Sequence, residues 1–207
     1  IGIELIKLLI NHPKVKIKYI CAQKSIGKTI NKFDSSLKTK RLPKITSLNS
    51  VNFDKIDILF TALPNGKAQI ISKKLNSKVK LIDLSADFRL SSPKNYKKWY
   101  KISHKSQKLI KYAIYSVPEL TKLKLNKFRI IACPGCYPTS IQIPLIPIIK
   151  NNLINTNNII VDSKSGYSGA GRNLDKKFKF KNIYESISAY GLGSHRHMAE
   201  IDQQFDK

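Results

Sequence analysis

The 207-residue sequence is poor in cysteine, tryptophan and methionine, and it has no long apolar run. No stretch approaches the roughly 18 consecutive apolar residues of a membrane-spanning helix, so we expect no membrane partner. Three cysteines, an odd number without a repeating framework, argue against a disulfide-rich scaffold. They fit the reduced thiols of a cytoplasmic protein better. Hydrophobic residues make up 42% of the chain, which is enough for a packed core.

Acidic residues are also scarce. The chain has 13 Asp and Glu residues against 38 Lys and Arg residues, so its formal charge is +25. Such a charge raises the question of nucleic-acid binding. Only 5 of the basic residues are Arg, the usual reader of bases, and the 33 lysines are scattered along the chain. Lys, Ile and Asn share A/T-rich codons, so compositional drift is the favoured explanation. We therefore predict no nucleic-acid partner.

A second cysteine pair is missing. Cys133 and Cys136 form one C-x-x-C, but a zinc knuckle needs another pair, and His12 and His104 lie far away in sequence. We predict no metal site. A redox pair remains an alternative, because Pro and Gly separate the two cysteines, although no thioredoxin-like pattern surrounds them.

A complete G-x-G-x-x-G motif is absent as well. Gly2 opens the first predicted helix and could be the last glycine of such a loop. The first residue is Ile, so we expect the chain to begin inside a longer protein.

Short apolar runs alternate with amphipathic stretches along the chain. Helical spacing predicts helices over 3–12, 66–75 and 140–152, with Pro144 and Pro147 disturbing the first turns of the last one. Alternation of apolar and polar residues predicts a strand over 15–22, and apolar stretches predict strands over 55–63, 79–86, 128–135 and 157–166. Alternating strands and helices favour an α/β fold, a parallel sheet built from βαβ units.

Composition divides the chain in two. Residues 1–133 form the βαβ block, in which 90–120 is predicted to be an irregular polar insertion with aromatics. Glycine content rises after Cys136, in "SGYSGAGRN", and indicates a second domain over 134–207.

The stretch "ACPGCYPTS" places Cys136 at a strand-to-helix turn. Free N–H groups and the helix dipole at such a turn stabilise a thiolate, and the same groups can stabilise an oxyanion on a carbonyl that it attacks. A small, inert cysteine is the alternative, and the residues alone leave both open. Cys133, at the end of the strand, is interpreted as structural.

Three further stretches contain chemically active residues, but each one taken alone is a weak indication of function. In "GLGSHRHMAEID", two histidines suit acid/base work, or metal binding together with Glu200. "DSKSGYSGAGRN" resembles a ligand loop but equally a flexible surface loop. "DLSADFRL" lies at a strand end where ligands of open α/β sheets bind, yet Asp87 and Arg89 could equally form a structural ion pair.

Together these stretches resemble the N-acetyl-gamma-glutamyl-phosphate reductase family. The matching segments run in family order over essentially the whole chain: "GIELIKLLINHP", "ALPNGKAQ", "LIDLSADFRL", "YKKWY", "VPEL", "PGCYPTS", "KSGYSGAGR" and "HRHMAEI". The combination of PGCYPT, SGAGR and HRH is highly specific.

The resemblance implies a Rossmann-type NADP(H) domain followed by an α/β (α+β) catalytic and dimerisation domain. The implied reaction is the NADPH-dependent reduction of N-acetyl-gamma-glutamyl phosphate to N-acetylglutamate 5-semialdehyde and phosphate, in arginine biosynthesis. A cytoplasmic homo-oligomer, dimer or tetramer, is expected.

The resemblance also implies roles for individual residues. Cys136 would be the nucleophile that forms a thioester, with His197, or alternatively His195, as the acid/base. Substrate contacts would come from Arg89, Arg172 and Arg196. Cofactor contacts would come from Gly2, Ser25, Gly27, Leu63, Pro64, Ser165 and Gly166, with Ser25 and Gly27 near the 2'-phosphate.

The sequence departs from the family pattern at several places. Cys133, Asn65 and Ala199 stand where Asn, His and Pro are usual. The family's first strand would precede Ile1, and a further segment would follow Lys207. We therefore expect a fragment with both domains incomplete, which binds NADPH poorly and is inactive. A related acyl-phosphate reductase of lysine biosynthesis, and a basic nucleic-acid-binding module, are the alternative functions.

Overall fold

The computed structural model describes residues 1–38, 41–170 and 186–205. Five α-helices lie in these ranges: α1 Gly2–Leu9, α2 Lys67–Ser72, α3 Pro93–Tyr100, α4 Cys136–Lys150 and α5 Met198–Phe205. The strands there are β1 Ile20–Cys21, β2 Ile45–Thr46, β3 Ile58–Thr61, β4 Lys80–Asp83, β5 Ala113–Tyr115 and β6 Ile130–Ala132. Short 3-10 turns fill many of the connections.

The strands pair in parallel throughout the described residues. Four of them form one sheet in the order β3-β4-β6-β5, and β1 pairs with β2 in a separate two-stranded sheet. The predicted α/β class with parallel sheets is therefore confirmed. Since neighbouring parallel strands end at the same edge, the loops after β3, β4 and β6 are brought together there.

The apolar runs predicted as strands build the main core. Leu81 of β4 and Ile130 of β6 are paired neighbours, each 1% exposed, and pack with Ile71 of α2, Val79 and Phe88. Along β4 and β6, buried residues alternate with half-buried ones, so one face of the sheet packs in the core and the other is partly covered. A second cluster packs Ile20 and Ile45, of β1 and β2, against α1.

The predicted irregular insertion at 90–120 is wrong, because it contains α3 and β5. Ser92 caps α3 by accepting the N–H of Asn95 at 3.2 Å, and Pro93 occupies the first turn. Tyr96 and Tyr100, one turn apart, stack at 4.7 Å and pack against Ala199 of α5. Aromatic residues at helical spacing thus give this segment a buried face.

Helix α4 runs through both of its internal prolines. Pro144 and Pro147 lie well inside it rather than in its first turn, because the helix begins at Cys136, four residues before the predicted start. The prediction of a helix was right and its position was wrong.

The predicted strand over 157–166 is wrong within the described residues. This segment is irregular and mostly exposed, with Ile160 92% exposed. A strand must pair its backbone N–H and C=O groups, and no described strand lies beside this one to do so. Across the described ranges, no helix combines the length and the apolar character needed to cross a membrane.

Candidate active site at the start of helix α4

Cys136 is the first residue of α4 and its side chain is exposed. The chain leaves β6 at Ala132, and Gly135 then takes an extended conformation (φ −69°, ψ 164°) as the helix N-cap. The thiol therefore lies at the carboxyl edge of the sheet, beside the first N–H groups of a helix. This is the turn that the sequence predicted, and it suits a thiolate nucleophile.

Cys133, three residues earlier, is held differently. Its N–H donates to the Asp83 carbonyl at 2.8 Å, and its carbonyl accepts from Arg89 Nε at 2.8 Å. Burial, with a further contribution from Asp83, raises the pKa of the Cys133 thiol. The Cys133 thiol is thus protonated at neutral pH, as a structural cysteine would be.

The imidazole of His197 lies directly against Gly135. A Cβ added at Gly135 would come within 2.5 Å of His197 Nε2, so only glycine allows this approach. Burial and the nearby His195, Arg89 and Arg196 lower the pKa of His197 to about 4. His197 is therefore neutral at pH 7. Its Nδ1 is buried and has no hydrogen-bond partner among the described residues.

Aromatic rings surround the two histidines. The rings of His195 and His197 lie 4.8 Å apart, and Tyr137, next to Cys136, lies 5.5 Å from His195 and 5.9 Å from His197. Tyr190 adds a contact to His195 at 5.2 Å. Desolvation and Arg196 lower the pKa of His195, while Glu200 opposes them. Both histidines thus lie beside the cysteine turn, as the family resemblance implies.

Glu200 of α5 ties the histidine segment to the cysteine turn. Its carboxylate is 0% exposed, accepts the Gly135 N–H at 2.9 Å on Oε2, and pairs with Arg89 Nη1 at 2.9 Å on Oε1. Tyr115 donates its hydroxyl to Oε2 at 3.3 Å. The buried charge is compensated by these partners, as a buried carboxylate requires.

The sequence did not predict this arrangement. Arg89 and Glu200 are 111 residues apart, and residue spacing carries no signal for such a pair. The suggested ion pair between Asp87 and Arg89 is wrong, because Arg89 pairs with Glu200 and Asp87 has other partners. Nor do the described residues place three or more His, Cys, Asp or Glu side chains together as a metal site would.

The three arginines predicted to bind substrate lie in different settings. Arg89 is 8% exposed, and its guanidinium donates to Glu200 and to the carbonyls of Cys133 and Leu84. Through these contacts Arg89 holds the Cys133 turn and Glu200 in place. Its contact with substrate stays a prediction. Arg196 is exposed and lies 5.7 Å over the Tyr100 ring. Arg172 lies outside the described residues.

The loop after β1 contains two residues with a left-handed backbone conformation. Ser25 and Gly27 both adopt positive φ, 69° and 81°, which is uncommon for serine. Gly27 donates its N–H to the Ile45 carbonyl of β2 at 2.8 Å, and no atom lies within 4 Å of the position where a side chain would begin. Such open space lets a ligand approach the backbone closely, so these two residues fit the predicted dinucleotide contact.

The other predicted cofactor residues are spread over three places. Leu63 and Pro64 follow β3 at the carboxyl edge of the main sheet, and Gly2 begins α1 with nothing within 4 Å of its open side. Ser165 and Gly166 lie in an exposed segment after α4. The loop after β3 fits a ligand contact by its position in an open α/β sheet. The roles of all five residues stay predictions.

Comparison with known proteins agrees with this geometry. Residues 1–128 match the semialdehyde dehydrogenase NAD binding domain, and residues 136–207 match the semialdehyde dehydrogenase dimerisation domain. A protein of Ehrlichia canis (strain Jake) named N-acetyl-gamma-glutamyl-phosphate reductase is 43% identical over 99% of this chain and 59% of its own length.

Two further relatives carry similar names. The Alkaliphilus metalliredigens (strain QYMF) N-acetyl-gamma-glutamyl-phosphate reductase is 43% identical over 98% of this chain and 59% of its own length. An Arabidopsis thaliana protein, named probable and chloroplastic, is 41% identical over 98% of this chain and 50% of its own. The chain thus spans between half and three fifths of these relatives. With two family domains matched in order, the chain belongs to the semialdehyde dehydrogenase family.

Proposed function

We propose that this chain carries the active-site cysteine of an NADPH-dependent acyl-phosphate reductase. Its substrate is N-acetyl-gamma-glutamyl phosphate, and its products are N-acetylglutamate 5-semialdehyde and phosphate. The observation that supports this most is the exposed Cys136 at the start of α4, with the neutral imidazole of His197 against the preceding Gly135. The names of the relatives support the choice of substrate.

In the proposed mechanism, Cys136 Sγ attacks the acyl carbon of the substrate. The carbonyl oxygen becomes an oxyanion, which the free N–H groups of the first turn of α4 stabilise. The oxyanion then collapses, the bond to the phosphate oxygen breaks, and phosphate leaves from a thioester on Cys136. A thiolate suits this task because it is a strong nucleophile that can leave again later.

His197 is the acid/base group of this proposal. Its neutral ring can accept the Cys136 proton, and its ordinary pKa of about 6.5 is lowered here by burial and by three positively charged or titratable neighbours. An anionic acyl phosphate beside Arg89 and Arg196 would offset that lowering, so proton uptake becomes easier when substrate is bound. His195 contacts the same ring and is the second candidate.

Residues at the carboxyl ends of β1 and β3 would hold the cofactor. When bound, NADPH would supply a hydride to the thioester carbon. Ser25 and Gly27 would contact the 2'-phosphate, and the exposed Lys24 and Lys28 beside them would favour its extra negative charge. Leu63 and Pro64 contribute apolar contacts after β3. Three reduced cysteines fit the proposed cytoplasmic location, and the matched dimerisation domain supports a homo-oligomer.

The first experiment runs the reaction in reverse with the complete gene product. N-acetylglutamate 5-semialdehyde, phosphate and NADP+ are mixed, and NADPH absorbance is followed for the wild type, Cys136→Ala and Cys133→Ala. We expect the wild type and Cys133→Ala to form NADPH. Cys136→Ala should lose more than about 1,000-fold in rate, because no thioester can form.

Each other outcome overturns one part of the proposal. Equal rates for wild type and Cys136→Ala would exclude Cys136 as the nucleophile. Loss of activity in Cys133→Ala alone would reverse the roles of the two cysteines. If no protein responds, the substrate assignment fails. The corresponding aldehyde of lysine biosynthesis, on its acidic carrier protein, is then tested.

A further inference from the structure

Asp87 is a fully buried carboxylate that accepts four hydrogen bonds. It lies in the loop after β4 and is 0% exposed. Oδ1 accepts the Gly66 N–H at 2.6 Å, the Tyr96 hydroxyl at 2.8 Å and Gln69 Nε2 at 3.3 Å. Oδ2 accepts the Gln69 N–H at 3.2 Å. Four donors share this one buried carboxylate. Its loss would destabilise the folded protein, because several buried donors would be left without an acceptor.

Two of these donors are backbone N–H groups at the beginning of α2. Gly66 is the N-cap of that helix, with φ +85°, and it has no cap from its own side chain. Asp87 takes that role from a distance of 18 residues by accepting the Gln69 N–H, and it also accepts the N–H of Gly66 itself. The connection from β3 to α2, residues 62–66, is therefore fixed from outside by a carboxylate of the next strand's loop.

The partners of Asp87 are themselves buried and bonded. Gln69 is 0% exposed, its Oε1 accepts the Lys105 N–H at 2.7 Å, and its carbonyl accepts the Ser106 hydroxyl at 2.5 Å. His104 Nδ1 accepts the Ser106 N–H at 3.1 Å, so Nε2 carries the proton and donates to the Asp87 carbonyl at 2.8 Å. The α2 helix, α3 and the 102–107 segment thus share one polar network centred on Asp87.

Occupation of these N–H groups limits what residues 62–66 can bind. The Asp87 carboxylate already accepts the N–H groups of Gly66 and Gln69, so these two donors are not available to a phosphate group of a ligand. The exposed residues of this connection are Ala62 and Pro64, while Leu63 and Asn65 are half-buried and Leu63 packs against the main core. None of these side chains is charged, and Ala62 and Pro64 offer apolar contact. The 62–66 connection therefore suits an uncharged part of a dinucleotide at the carboxyl edge of the sheet.

We propose that Asp87 is a positioning residue for NADPH: it holds residues 62–66 in the geometry that contacts an uncharged part of the cofactor, without touching the cofactor itself. This inference rests on the proposed function. Two neighbouring residues of the 87–89 segment then have separate roles. Arg89 holds the turn that leads to Cys136, and Asp87 holds the connection that contacts the cofactor.

The test uses the complete gene product with Asp87→Asn, Tyr96→Phe and, as the matched control, Asp57→Asn. Asp57 is an exposed carboxylate just before β3, at the opposite end of the same strand. NADPH affinity is measured by fluorescence titration without substrate, and hydrogen exchange is measured at the Gly66 and Gln69 amides. Steady-state kinetics give KM for each substrate and kcat.

We expect Asp87→Asn to weaken NADPH binding about tenfold and to speed exchange at both amides, because a charge-assisted acceptor is lost. KM for the acyl phosphate and kcat at saturating NADPH should change by less than about threefold. Tyr96→Phe removes one donor and keeps the stacked ring, so it should weaken NADPH binding about threefold. Asp57→Asn should match the wild type.

Faster exchange at Gly66 with unchanged NADPH affinity would overturn the proposal, because a loosened connection would then not matter to the cofactor. Equal losses for NADPH, acyl phosphate and kcat would mean a merely structural role and would also overturn it. If Asp87→Asn does not fold, Tyr96→Phe decides by the same readouts. Wild-type protein that fails to bind NADPH would instead overturn the proposed function, and exchange at Gly66 would still report whether Asp87 holds the connection.

Discussion

Gly135 is contacted from two sides by residues of the same short segment. Its N–H donates to Glu200 Oε2 at 2.9 Å, and its Cα faces the His197 ring, where an added Cβ would lie 2.5 Å from Nε2. A residue without a side chain is needed at this point because the imidazole fills the space that a Cβ would take. One glycine thus brings an acid/base candidate next to the cysteine that follows it.

The lowered pKa of His197 predicts a pH dependence of stability. The folded protein keeps this ring neutral down to about pH 4, whereas an unfolded histidine takes up a proton below about pH 6.5. Between those values the unfolded state binds more protons. The free energy of unfolding should therefore fall as pH decreases from about 6.5 to about 4.

His197→Gln checks this by denaturant unfolding over the same pH range. The slope of the unfolding free energy against pH measures how many more protons the unfolded state binds than the folded state. We expect this number to be smaller in the variant by up to about one. His12→Gln, at an exposed histidine away from the site, is the matched control. Carboxylates contribute to the pH dependence in all three proteins, so the comparison uses only the difference in slope between each variant and the wild type. A slope equal in wild type and His197→Gln would contradict the buried neutral imidazole.

At the scale of elements, the Arg89–Glu200 pair joins α5 to the β6–α4 turn. The side chains are 9% and 0% exposed, and the guanidinium also holds the carbonyls of Cys133 and Leu84. Gln142 of α4 extends the network by donating to the Tyr115 hydroxyl at 2.9 Å. The positions of the histidines relative to the cysteine therefore depend on a buried charge pair.

Arg89→Met should destabilise the protein by about 3–5 kcal/mol, because it leaves Glu200 buried without its cation. The loss in the double variant Arg89→Met/Glu200→Gln should be smaller than the sum of the two single losses. Asp162→Asn, in an exposed ion pair with Lys164, is the control and should cost less than about 1 kcal/mol. Thermal unfolding measures all four. If Arg89→Met instead raises KM for the acyl phosphate with stability unchanged, direct substrate contact is its role.

The sequence predicted those features that depend on local patterns. Apolar runs located β3, β4 and β6. The residues around Gly135 predicted a strand-to-helix turn at Cys136, although the predicted helix began four residues after the observed start of α4. Helix α3 was missed, although Ser92, Pro93 and the Tyr96–Tyr100 spacing are ordinary signals of a helix start and a buried face. The segment 157–166 was mispredicted because apolar character alone does not supply a pairing partner.

The site divides in the same way. Cys136 and the histidines stand in short motifs, and the structure brings them together. Glu200 with Arg89, and Asp87 with Gly66, are contacts across 111 and 21 residues that no local pattern encodes. The division of the chain after residue 133 and the individual site roles stay predictions.

At the scale of the whole molecule, the net charge of +25 acts on every part of the fold. Exposed lysines lie on different elements, among them Lys24, Lys98, Lys124 and Lys150. With 38 basic and 13 acidic residues, repulsion between like charges outweighs attraction, and it weakens the compact state more than the unfolded one. An exposed ion pair such as Lys164–Asp162 offsets little of this.

Added salt should therefore stabilise this protein. Raising NaCl from about 0.01 M to about 0.15 M shortens the screening length from about 30 Å to about 8 Å, which reduces the repulsion among lysines. We expect the melting temperature to rise over that range. Replacing Lys122, Lys124 and Lys127 by Glu should flatten the dependence, and replacing them by Arg, which keeps the charge, should leave it unchanged. A melting temperature that falls with NaCl, or an equal slope in the Glu and Arg variants, would show that local ion pairs, rather than total charge, set the response to salt.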